Sequence, residues 1–345
     1  MPTSSAPVSF CAGVTGGPMT CVILTGSSGL DLMHAGLADV VIPFVFRLVD
    51  GPLPLEELAV YVAARPETAK PGRHWSDYVA RRSQTVRERG HLSLTAFCNA
   101  YDVVELWFDG APNDQLQLIW LLDHLRCHPE IAAKTKFRLI AFDLITKEAK
   151  SIAKSLPHIP AFGVTANELE AGSMAWQAYT APTPEACAEL FPRDLSALPM
   201  LKPALIDLLA ELPSVSTGLG ATETRFLELI ARGYAGTNAL FHLRSLRRTC
   251  VFDEWELGWL LQGLALGPRP AVAGLDDELR RIPKENLRAR NAAYLRSRLA
   301  LTEFGKQLLA GREDFSRHNP IDRWWGGTHL TNDRLWRYGA VLTKP

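Results

Sequence analysis

The chain has 345 residues, of which 47% are hydrophobic and 21% charged, with 37 basic residues balanced by 37 acidic ones. That length exceeds what one compact core usually fills, and the composition excludes a largely disordered chain. With no net charge, any pull toward nucleic acid or anionic lipid must come from a local patch.

Residues 1–18, rich in Ser, Pro and Gly, have no apolar periodicity, no basic start and no apolar run of a secretion signal. They read as a disordered tail, with Met19 as an alternative first residue. The six cysteines form no CxxC pair, as expected of a reduced, cytoplasmic chain. No apolar run reaches the roughly 18 residues of a membrane span, so no membrane partner is expected.

The run TCVILT at 20–25 predicts a strand, closed by GSSG and followed by the amphipathic LDLMHAGL and a second strand at 39–44. Helices are expected over 55–64 and 74–88. VVELWF at 103–108 and KFRLIAF at 136–142 predict two more strands, separated by the helix DQLQLIWLLDHLR. Strands alternating with helices predict an α/β domain over 19–165, with a Rossmann-like, mostly parallel sheet.

Residues 166–217, helical and proline-punctuated, read as a connector. Over 218–345 the pattern changes to three short helices, at 221–233, 236–249 and 253–265. Strand-like PAVAGL and YLRSRLALT follow, and then the helix TEFGKQLLAG, capped by Thr302 with Gly305 in its first turn. That order predicts a winged helix-turn-helix-like domain. The tail from Asn319, with Trp324, Trp325, Trp336 and a Thr-Asn-Asp turn, predicts a β-hairpin.

The chain resembles a bacterial family catalogued as domain of unknown function 1835, over about residues 20–340. The residues that carry the resemblance are Glu105-Leu106-Trp107-Phe108-Asp109 and Asp114-Gln115-Leu116-Gln117-Leu118. Asp50-Gly51-Pro52, Leu198-Pro199, Gly218-Leu219 before Thr222-Glu223, Ile321-Asp322-Arg323-Trp324, Gly326-Gly327 and His329-Leu330 support it. The resemblance implies an architecture and no activity. Where that family often has Gly-Asp-Ser in its first loop, this chain has Gly26-Ser27-Ser28.

Glu105 interrupts an apolar strand, and Arg138 interrupts the next one. A buried charge needs a partner, so the two are expected to pair across the strands. Asp109 and Asp143 then end parallel strands at the edge where open α/β sheets bind ligands. Gly26, Ser27 and Ser28 can present backbone N–H groups to an anion there, and Asp109 with Asp143 can hold Mg2+. Asn113 and Gln115 complete the candidate ligand set, unless they face water. Asp114 and Gln117 have the spacing of a capping box. His124, Cys127 and His128 share one helical face, but no fourth metal ligand is evident. No Walker-type lysine or nucleophile elbow is present.

Seven basic residues between 280 and 303 make a local patch, whereas the third helix begins with Asp253, Glu254 and Glu256. Such carboxylates repel phosphates, so nucleic-acid binding is expected to be weak and non-specific. Three readings follow. In the first, the α/β domain binds a small phosphate-bearing or metal-chelated ligand and the winged helix is an interaction module. The second is a transcription-associated DNA-binding regulator, and the third a non-enzymatic structural or interaction protein.

Overall fold

The computed structural model describes residues 20–26, 37–68, 70–79, 84–140, 158–241 and 251–345. The N-terminal tail, residues 30–36 of LDLMHAGL, Ser27, Ser28, Asp143 and residues 242–249 of the second C-terminal helix lie outside the described residues. The chain divides into two compact units: residues 1–48, 53–178 and 190–204, and residues 49–52, 179–189 and 205–345. The stretch 166–217 is shared between them.

The first unit is built on β1 (Cys21–Thr25), β2 (Val40–Pro43), β3 (Val103–Phe108), β4 (Thr135–Leu139) and β5 (Ala161–Gly163), in the order β2-β1-β3-β4-β5. The first four run parallel, and β5 closes the edge antiparallel to β4. Every residue of β1, β2 and β3 is buried, as expected for strands covered on both faces. On one face Cys21, Ile23, Val41, Val103, Trp107 and Ile140 form a core cluster. Among the aromatic groups of this unit, the Phe44 ring lies 6.3 Å from Phe108 and 5.4 Å from Trp120.

Glu105 and Arg138 do pair. Arg138 Nε and Nη2 donate to the two carboxylate oxygens at 2.6 and 2.8 Å, and Trp107 Nε1 adds a third bond at 2.8 Å. In register, Arg138 lies opposite Trp107 rather than Glu105, so the pair is diagonal across β3 and β4. The expected helix over 74–88 is instead a 3-10 turn, Trp75–Asp77, and a separate helix, Gln84–Arg89. His74 and Asp77 close that turn as a capping box, and each side chain satisfies backbone that a continuous helix would need elsewhere.

In the second unit, the helices Ala221–Ala231, Thr237–Phe241 and Glu254–Leu266 precede two short antiparallel strands, Val272–Ala273 and Ala300–Leu301. Thr302 Oγ1 accepts from Gly305 N and caps the helix Glu303–Leu309, while a Cβ on Gly305 would lie 2.2 Å from Ala271 O. YLRSRLALT is mostly not strand, because Tyr294–Arg296 end a helix, Leu287–Arg296, set between the two strands. That helix buries Arg290 and Tyr294, a packing role that a solvent-exposed wing would not give them. Asp322–Trp325 and Thr328–Thr331 pair antiparallel around Gly326-Gly327, and the Thr-Asn-Asp segment lies at the far end of the second strand. Trp325 Nε1 donates to Leu208 O at 2.6 Å and its ring packs edge-on to Tyr179, so this tryptophan is core.

The basic patch is smaller than its sequence count. Arg290 is buried, Arg296 pairs with Asp276 and Glu278, and Arg280 contacts Asp277. Two of the three carboxylates of the third helix are also turned inward. Asp253 accepts from the N–H groups of Trp255 and Glu256, and Glu256 accepts from Asp253 N, a closed capping box.

Candidate functional site

β1 leads to β2 on one side and pairs with β3 on the other, so the direction of winding reverses between β1 and β3. In open parallel sheets, the crevice beyond the carboxyl ends at such a reversal is where ligands bind. Thr25 ends β1 and is locked to β3 by its hydroxyl, which donates to Trp107 O at 2.7 Å. Gly26 and Asp109 are the next residues on the two strands.

Asp109 is 3% exposed, and its Oδ1 accepts from Ala111 N at 2.9 Å, shaping the Asp109-Gly110-Ala111 turn. The helix Pro112–Leu125 starts immediately, with Ala111 as N-cap and Pro112 in the first position. Asp114 is therefore not an N-cap and forms no capping box with Gln117. It lies in the first turn, 2% exposed, where the positive helix end favours a carboxylate. Its carboxylate fills the space beside Gly26: a Cβ there would lie 2.4 Å from Asp114 Oδ2. Only glycine fits at the tip of β1 with the acid in place.

The amides nearby hold backbone. Gln115 Nε2 donates to Asp109 O at 2.6 Å, fixing the turn from the helix side. Asn113 donates from Nδ2 to Phe46 O at 3.0 Å and accepts from Leu48 N at 2.8 Å, and Gln117 Nε2 also donates to Phe46 O, at 2.6 Å. Neither Asn113 nor Gln115 faces water; both are buried. Twelve of the fourteen residues of this helix are buried, so its polar side chains had to find partners inside the fold. A cleft of about 300 Å³ opens along Phe108, Gln115 and Leu118, covered by Leu198-Pro199-Met200.

Gly26, Asp109, Asn113 and Gln115 thus cluster at one edge. Ser27, Ser28 and Asp143 lie outside the described residues, so the Asp109–Asp143 pair does too. Asp114 is the residue that sequence reasoning misassigned. The signal that could have placed it was Pro112, which marks the helix start two residues earlier. Asp114 packs against Gly26, and Asp109 follows the end of the neighbouring β3; both carboxylates are buried at the same carboxyl edge.

His124 and His128 come together, with ring centroids 5.0 Å apart, but Cys127 does not join them in a three-ligand group. The helix ends at Leu125, Cys127 is exposed, and His124 stacks on Trp120, its pKa lowered by burial. Among the described residues, no group of three or more His, Cys, Asp or Glu side chains is placed to hold a metal ion. No described helix is long and apolar enough to cross a membrane.

No family model matches the chain, and no curated protein matches it significantly.

Proposed function

We propose that the α/β unit binds a small phosphate-bearing ligand as its Mg2+ chelate, at the carboxyl edge between β1 and β3. One observation carries this reading: buried Asp114 packs against Gly26 at the tip of β1, and buried Asp109 directly follows the neighbouring β3 at the sheet's reversal point. Mg2+ is commonly held by one or two carboxylates, with the remaining positions filled by water and ligand phosphate oxygens. Such a site needs no cage of three protein ligands. In this reading Asp109 is the ligand to the ion, Asp114 packs the tip of β1 against the helix start through Gly26, and Gln115 fixes the turn by its bond to Asp109 O. The first-loop backbone completes the approach to the phosphates.

The test is a thermal-shift screen of the full chain against nucleoside di- and triphosphates and sugar phosphates, each with Mg2+ or with EDTA. A ligand that raises the melting temperature only when Mg2+ is present supports the reading. Stabilisation of equal size in EDTA refutes the chelate, and no stabilisation by any phosphate ester refutes the ligand class.

A further inference from the structure

The cleft of about 300 Å³ in the first unit has a mostly apolar lining. Leu106 and Phe108 alternate along β3, and Phe137 lies opposite Leu106 on β4, so all three share one face of the sheet. Leu118 of the helix Pro112–Leu125 packs over them, and Pro199 and half-buried Met200 form the outer wall. Met200 also reaches the Asp109-Gly110-Ala111 turn: a Cβ on Gly110 would lie 3.5 Å from its Sδ.

The apolar track does not stop at the cleft. Phe162 lies opposite Phe137 on β5, their ring centroids 5.6 Å apart, and is 46% exposed at the edge of the sheet. From β3 to β5 the track crosses two strand spacings, about 10 Å. One end abuts the turn that begins with Asp109, and the other is exposed.

The two polar residues of the lining serve the fold. Gln115 Nε2 donates to Asp109 O, and Arg138 donates to Glu105 and to Ile159 O. A nucleobase or a sugar would bring several donors and acceptors into this cleft, and each one left unpaired costs binding energy. A hydrocarbon chain brings none, and every methylene buried against Leu, Phe and Met side chains is favourable. The unbranched, polarisable thioether of Met200 adapts to the width of such a chain.

We propose that the cleft and Phe162 hold an aliphatic chain, so that the ligand of the first unit is the phosphate ester of an aliphatic alcohol. Its phosphate lies at the carboxyl edge between β1 and β3, and its chain runs along the cleft toward β5. The phosphate end rests on the chelate reading above, and the chain end on the cleft alone.

Isothermal titration of the full chain in Mg2+ compares n-octyl phosphate, geranyl phosphate, methyl phosphate, adenosine monophosphate and n-octanol, all below any micellar concentration. Methyl phosphate reads the phosphate end alone, and octanol the chain end alone. Octyl phosphate is expected to bind at least about a hundredfold tighter than methyl phosphate, the effect of burying about four methylenes. It should also bind tighter than adenosine monophosphate. The tighter of octyl and geranyl phosphate assigns a straight or a branched chain. Phe162→Thr keeps a strand-forming residue at an exposed position, and Met200→Gln keeps the side-chain length. Each should shrink the octyl-to-methyl ratio at least about threefold, the effect of one methylene's burial. Octyl phosphate binding no tighter than octanol would keep the chain site and refute the phosphate end. Equal affinity for octyl and methyl phosphate, tighter binding of adenosine monophosphate, no binding of either octyl compound, or a ratio unchanged in both variants would each overturn the proposal.

Discussion

Replacing Glu105 by alanine should be among the most damaging single changes in the α/β unit. The carboxylate accepts three hydrogen bonds, two from Arg138 and one from Trp107. The side chains of Glu105 and Arg138 are only 7% and 12% exposed, so water cannot replace the lost partner. After substitution Arg138 keeps one bond, from Nη1 to Ile159 O at 3.0 Å, and its packing against the Trp107 ring. Two guanidinium N–H directions and the indole N–H are left unpaired in the core. Breaking a buried pair from one side costs roughly 3–5 kcal/mol, much of it the penalty for the stranded charge. The companion Glu105→Leu/Arg138→Met double variant removes both charges and should recover most of that loss. Urea denaturation, monitored by fluorescence and compared at constant slope, measures both quantities. If Glu105→Ala costs less than about 1 kcal/mol, the range of an exposed pair, the pair is solvated and the argument fails. The double variant would contradict it equally by being as unstable as the single one.

Gly26→Ala should destabilise by roughly 1–3 kcal/mol, because the new methyl group overlaps the Asp114 carboxylate; combining it with Asp114→Ala should cost less than the two single changes added together, measured by thermal melting. Asn113→Ala should cost roughly 1–3 kcal/mol by removing the Oδ1 acceptor that Leu48 N uses, and hydrogen exchange at that amide should rise in step. Glu211 in the second unit is pushed up from 4.5 to about 7 by burial, against the opposing hydrogen bonds from Thr222. A carboxyl whose folded pKa is raised contributes stability that is fully present below about 4.5 and is lost as pH rises through about 7. The second unit's unfolding free energy should therefore fall across that window, by up to about 3 kcal/mol, and Glu211→Gln should flatten the slope. An unchanged slope in the variant would assign the dependence to another group.

Much of the first unit was legible because parallel strands announce themselves. β1 and β3 are short apolar runs bounded by turn residues, and they appear within one residue of their expected limits. The Glu105–Arg138 pair was legible for the same reason: a charge inside such a run has nowhere to go except to another one. Buried helices hide more. Asn113, Gln115 and Gln117 look solvent-facing by residue type, and only tertiary packing gives them backbone partners: the Phe46–Leu48 segment for Asn113 and Gln117, and the Asp109 carbonyl for Gln115. The same limit produced the acidic-helix argument in the C-terminal part. Asp253 and Glu256 have capping-box spacing, so their charges serve the backbone, and only Glu254 of the three stands exposed. Several residues that carried the family resemblance also prove to be scaffold. Glu223 accepts from Gly220 N at the start of one helix, and Arg323 pairs with that same Glu223 at 3.0 Å.

The most direct test of the site at β1 and β3 is the binding of a paramagnetic stand-in for Mg2+. Mn2+ can be titrated into the full chain together with the phosphate ester that stabilises it best, and free ion followed by electron paramagnetic resonance. Asp109→Asn keeps the Oδ1 acceptor for Ala111 N, so the turn should survive while the charge is gone. The account predicts ligand-dependent Mn2+ binding in the native protein and at least about a tenfold loss in Asp109→Asn, the effect of removing one of at most two carboxylate ligands. Equal Mn2+ affinity in the two proteins would contradict it.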